Sequence, residues 1–199
     1  NYIIASLPEQ YILNDKFKPY IIFQNYHAGA TTLKAAICPL RIICQNQFTM
    51  AFRNSENKIS IRHSSSIHEK MNEAQHILQF NAEYMDSFNK MANKMAANKI
   101  GDEKALDIID KYFLVDDNAS TRKVNSNEEK KTILLNAYNA EDNQNFRGTQ
   151  WGLINAFSDY ITHLDPARKT NKSNISKFVN VTFNNGLMNN FINMVQEYV

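Results

Sequence analysis

The chain has 199 residues and a formal charge of +2, with 43% hydrophobic, 21% charged and 11% aromatic residues; this is the size and balance of one folded domain and excludes a disordered chain. So mild a charge excludes the strongly basic footprint of a dedicated nucleic-acid-binding domain. No apolar run approaches the roughly 18 residues of a membrane span, and Asn1 to Leu7 lack a basic region ahead of an apolar one, so a cytoplasmic protein with no membrane partner is expected.

Charge is unevenly distributed: residues 1–66 carry a balance of +4 and the remainder −2. The two cysteines, Cys38 and Cys44, match no disulfide framework or metal spacing and read as reduced thiols. In chain order, Asn1–Leu7 and Tyr11–Asn14 read as short strands broken at Pro8, and Pro19–His27 as a stronger one with Tyr20, Ile22, Gln24 and Tyr26 on one face. Ala28-Gly29-Ala30 reads as a hairpin loop, followed by a strand over Thr31–Cys38 that Pro39 ends. From Leu40 to Phe52 the spacing of Cys44, Phe48 and Phe52 predicts a helix, and Lys58–His63 alternates as a strand.

Ser64-Ser65-Ser66 supplies N-caps for one very long helix through about Lys99. Its seam is Ile67, Met71, Ala74, Leu78, Asn81, Met85, Phe88, Ala92 and Met95, alternating four and three residues with a polar interruption at Asn81; Ile77, Tyr84 and Met91 flank it. Such a face needs partner helices, and Asp102–Leu114, Asn127–Ala140, Thr149–Leu164 and Gly186–Val199 supply them, with Ser126 ahead of the second. Val115–Asn125 and Ala167–Ser173 read as polar loops. The expected fold is therefore a single α+β domain: a sheet-rich part over residues 1–63, an N-terminal antiparallel sheet with hairpins and an inserted helix, then a helical bundle over residues 64–199 containing the very long helix.

Five glycines and the absence of a phosphate loop, a nucleophile elbow or a Cys-x-x-Cys pair argue against nucleotide and redox chemistry, and no cofactor is expected. His63, His68 and His76 cluster with Glu69 and Glu73, but Asn72 stands where a zinc helix needs its second histidine, so the set reads as a solvated face rather than a metal site. On the helix capped by Thr149, Asn155, Asp159 and His163 stack at four-residue intervals beside Trp151, Ile154, Phe157 and Ile161. Asp159 can orient His163 for proton transfer, or the row can be a structural hydrogen-bond ladder beside a core tryptophan.

Four ordered segments carry a resemblance: Tyr20 to Gly29, Cys38-Pro39-Leu40-Arg41-Ile42-Ile43-Cys44-Gln45-Asn46, Ile61 to Ser64, and Gly148-Thr149-Gln150-Trp151-Gly152-Leu153-Ile154-Asn155-Ala156 with Tyr160 and His163. Together they resemble the phage/plasmid-like protein family of unknown function, departing from it at Ala28, Gln47 and Ser64. Arg41, Cys44, Asn46, His63, Trp151, Asn155 and His163 are the motif residues on which the resemblance rests. It implies a protein encoded by a mobile element, with further chain ahead of Asn1, and it carries no established reaction.

Three functions follow as expectations. The first is a non-enzymatic DNA-associated protein, binding single strands or assisting recombination, with Lys34, Arg41, Arg53, Lys58 and Arg62 on phosphates and Tyr20, Phe23 and Tyr26 nearby for stacking. The second is a module that binds a host or phage protein, or a second copy of itself, through the long helix, Asn81 fixing register. The third is a metal-dependent enzyme using His63, His68 or His163.

Overall fold

The computed structural model describes residues 2–25, 32–42, 46–47, 58–62, 67–164, 170–174, 177 and 186–198. Six strands form one antiparallel sheet: β1 (Tyr2–Ser6) and β2 (Gln10–Ile12) both pair with β3 (Asp15–Asn25), β3 pairs with β4 (Thr32–Arg41), and β4 pairs with β5 (Asn46–Gln47) and β6 (Lys58–Arg62). Helices follow: α1 (Ile67–Ala97), α2 (Asp102–Tyr112), α3 (Thr121–Tyr138), the 3-10 helix (Glu141–Phe146), α4 (Gln150–His163) and α5 (Gly186–Glu197). The sheet-then-helices order of an α+β fold is as the sequence predicts.

The strand expected over Tyr11–Asn14 stops at Ile12. Leu13 and Asn14 take φ of 53° and 64°, a two-residue turn with both residues left-handed, and this twist suits the hairpin joining Ile12 to Asp15. Asn14 tolerates that conformation and a β-branched residue does not. Asn14→Val is expected to lower stability by about 1–2 kcal/mol while Asn14→Gly leaves it equal or higher; a chemical-denaturation midpoint unmoved by valine would contradict the turn.

Pro39 does not end its strand. It lies within β4 directly opposite Pro19 in β3. Leu7 N–H donates to the Pro19 carbonyl at 2.9 Å, so the peptide groups of Pro19 point toward β1 and away from β4. The two prolines thus face each other at a non-hydrogen-bonded position, where the β3–β4 ladder asks neither for the N–H it lacks. The helix expected from Leu40 to Phe52 is also corrected: Leu40 and Arg41 finish β4 and pair with Gln47 and Asn46 of β5. A four-residue spacing returns to one face of a helix but also to one face of a strand, so Cys44, Phe48 and Phe52 could not separate the two. Those three residues, the Ala28–Ala30 loop and the Ser64–Ser66 caps lie outside the described residues.

One sheet face carries Phe17, Ile21, Ala35 and Ile37 into the main core; Ile22, Ala36 and Cys38 are buried on the other. Phe23 falls on the core face, apart from Tyr20, and packs against the core cluster.

Helix α1 runs 31 residues, about 46 Å, and packs on β2, β4 and α4. Met85, Phe88, Ala92 and Met95 of the expected seam are buried, with Tyr84 and Phe80 beside them; Leu78 on the same seam is 58% exposed. Phe80 was not part of the expected stripe. Phe88 sets its ring edge-on to Phe17 at 5.4 Å and to Trp151 at 5.8 Å, a line of three aromatics running from the sheet through α1 to α4. Full burial of each such side chain contributes about 1.5–3 kcal/mol.

Helix α3 starts at Thr121 with Ser120 as its N-cap, six residues before the expected Asn127, so part of the loop predicted over Val115–Asn125 is helical. Its first turns are exposed and carry no apolar period, which is why the pattern missed them. Residues 171–174 are likewise helical and overlap the expected Ala167–Ser173 loop, Thr170 Oγ1 accepting from Ser173 N–H. Helix α4, not α1, occupies the centre: every residue from Gln150 to Ser158 is buried, and it touches α1, α3, α5, the 3-10 helix and β5. Phe157 stacks on Phe191 of α5 at 3.9 Å, with Tyr112 edge-on to both.

Candidate functional site

Helix α4 begins on a cap that the sequence announces. Thr149 Oγ1 accepts from Gly152 N–H at 3.1 Å and donates to the Phe146 carbonyl at 2.6 Å, so the first turn sits directly on the end of the 3-10 helix. Gly152 is required by this approach, because a Cβ there would fall 2.2 Å from the Phe146 carbonyl oxygen. Buried Asn143 ties the same corner: its Nδ2 donates to the carbonyls of Tyr138 and Gly152, each at 3.0 Å, and its Oδ1 accepts from Asn155 Nδ2 at 3.0 Å. The third partner settles the place of Asn155. It braces the 3-10 helix.

A second brace joins the α1–α2 corner to the α4 start. Tyr138 Oη donates to Asp102 Oδ1 at 2.8 Å and accepts from Gly148 N–H at 2.9 Å, while Arg147 Nε donates to Asp102 Oδ2 at 3.0 Å. Burial, with the Asp102 carboxylate beside it, pushes the Tyr138 phenol up to about 12, and the Arg147 and Tyr138 donors hold Asp102 below its ordinary value. The Gly148 carbonyl accepts from both Ile100 and Gly101 N–H, and both glycines take positive φ, 72° and 79°.

The main ionic cluster lies where the sheet meets these elements. Arg41 is 1% exposed at the end of β4, on the core face opposite Phe17. Its Nε donates to Asp15 Oδ2 at 2.8 Å, its Nη1 to Asp142 Oδ2 at 2.9 Å and its Nη2 to the Asp142 carbonyl at 2.7 Å, and the Phe146 ring lies 5.8 Å from its guanidinium carbon. One buried cation thus joins the β2–β3 hairpin to the 3-10 helix. Arg41, expected to contact phosphate, is held here by two carboxylates, and leaving them would unpair a charge at a buried position.

Asp159 borders this cluster, and its Oδ1 lies 3.3 Å from His163 Nε2, the pair read from the four-residue spacing. Burial raises the Asp159 carboxyl above its ordinary value; His163 and Arg41 pull it down and Asp142 adds to the rise. A carboxyl raised on folding loses stability as pH climbs through its folded-state value and carries no penalty below the unfolded one. Asp159→Asn is therefore expected to melt higher than the parent at pH 7, by less than about 1 kcal/mol in stability, with the gap closing toward pH 4. A variant that melts lower across the whole range would show that the pairing with His163 outweighs burial.

The structure gathers much of the motif set. Tyr20 pairs with Cys38, Arg41 with Asn46, and β6 with β4, while α4, the helix that carries Trp151, Asn155 and His163, packs against β5. Cys44, His63 and Arg53 lie outside the described residues. Asp15, Asp142, Asn143, Tyr138 and Asp102 complete the arrangement and were not singled out by pattern; the polar run Glu141-Asp142-Asn143-Gln144-Asn145 carries no period that marks it.

Of the expected phosphate-binding set, Lys34 is exposed on β4. Register places Lys34 opposite Ser60, Ala36 opposite Lys58 and Thr32 opposite Arg62, so positions 34, 58 and 62 belong to one face of the sheet, the face away from Arg41. Glu69 and His76 stand exposed on α1, and among the described residues no group of three His, Cys, Asp or Glu is placed to hold a metal ion. No helix among the described residues is long and apolar enough to cross a membrane.

Residues 1–181 match the profile of a family described as a Domain of unknown function, DUF932. No curated protein and no solved structure matches the chain.

Proposed function

We propose, given that the chain belongs to the DUF932 family, that it is a non-enzymatic DNA-associated protein of a phage or plasmid element, acting on single strands or as a recombination accessory. The supporting observation is the β4–β6 register, which assembles positions 34, 58 and 62 on one face within the part of the chain that carries the positive balance. Lys58 and Arg62 lie four residues apart on one strand, about 13 Å, with the Lys34 position opposite the point midway between them. Ile22, Ala36 and Cys38 are buried in the middle of that face, so the contact zone is its β6 rim. The mobile-element assignment rests on the motif resemblance.

Fluorescence anisotropy on short single-stranded and duplex DNA across a salt series tests the reading. Each phosphate neutralised releases counterions, so the Lys34→Ala/Lys58→Ala/Arg62→Ala variant is expected to flatten the single-strand log–log slope by about 2. Wild-type protein that binds neither form at low salt, or a slope unchanged in the variant, would end the proposal.

A second reading, a module that binds another protein, is favoured by one observation on α1. Asn81 Oδ1 is buried with no hydrogen-bond partner among the described residues, one turn from exposed Leu78 on the same stripe. A helix laid along this stripe would cover Leu78 and pass beside Asn81. The salt series separates the readings, since such a module has no counterions to release from DNA.

A further inference from the structure

We draw no further inference here: the strongest candidate, the uncharged outer edge of β1, where Ile3 and Ile4 stand 68% and 55% exposed, carries nothing because nothing in the structure shows what covers it.

Discussion

Gly152→Ala is expected to lower the unfolding free energy by about 3 kcal/mol or more, or to prevent folding altogether. Two effects of opposite sign compete at this position. Alanine in a helix interior gains about 1 kcal/mol over glycine from propensity alone. Against that, its methyl would stand 2.2 Å from the Phe146 carbonyl oxygen and 2.7 Å from the carbonyl carbon, which are backbone atoms with no rotamer to move away. Phe146 cannot retreat cheaply, because its carbonyl accepts from both the N–H and the hydroxyl of Thr149. Relief would have to separate α4 from the 3-10 helix, breaking the Asn143 donation to the Gly152 carbonyl and leaving buried polar groups unpaired. The clash therefore outweighs the propensity gain. Urea denaturation of the variant provides the check, with Gly148→Ala, where the nearest atoms lie 3.8 Å away and the strain comes from φ, as a milder companion. A Gly152→Ala midpoint equal to or above the parent's would mean that the helix start does not sit on Phe146 as described.

Arg41→Ala is expected to cost about 3–5 kcal/mol, the range for removing one partner of a buried ion pair. Asp15 and Asp142 keep 19% and 25% side-chain exposure, which places the expectation toward the lower end. Arg41→Lys restores a charge but not the fork that reaches a side chain on the hairpin and both a side chain and a carbonyl on the 3-10 helix, so it is expected to recover less than half of the loss. In the folded fraction of either variant, the salt dependence of DNA binding should match the parent's, because Arg41 lies on the opposite sheet face from Lys34. An Arg41→Ala protein as stable as the parent but with a flattened salt slope would identify Arg41 as a phosphate contact and displace the strut described above.

These two positions stand inside the segments that carried the family resemblance, and they show what the motifs contain. Arg41 and Gly152 act through close fits between elements distant in sequence: Arg41 pairs with Asp142 across 101 positions, and Asn143 with Asn155 joins the 3-10 helix to α4. The Thr149 cap and the Asp159–His163 pair were legible in advance because each depends on residues within one or two turns of a single helix. The partners of Arg41 were not, since neither Asp15 nor Asp142 carries any local mark distinguishing it from the other acidic residues.

By itself the sequence determined the element types wherever period and capping are local: the alternating strands before Arg62, the apolar stripe from Met85 to Met95, the start of α4 at Thr149 and the start of α5 at Gly186. Only the tertiary structure decided that Pro39 continues a strand, that residues 46–47 pair with β4, that α4 and not the longer α1 is the buried centre, and that Arg41 faces inward. The physical reason is that backbone preference and amphipathicity act over a few residues, whereas strand register, the face a residue presents and the partner of a buried charge depend on which distant segments come into contact.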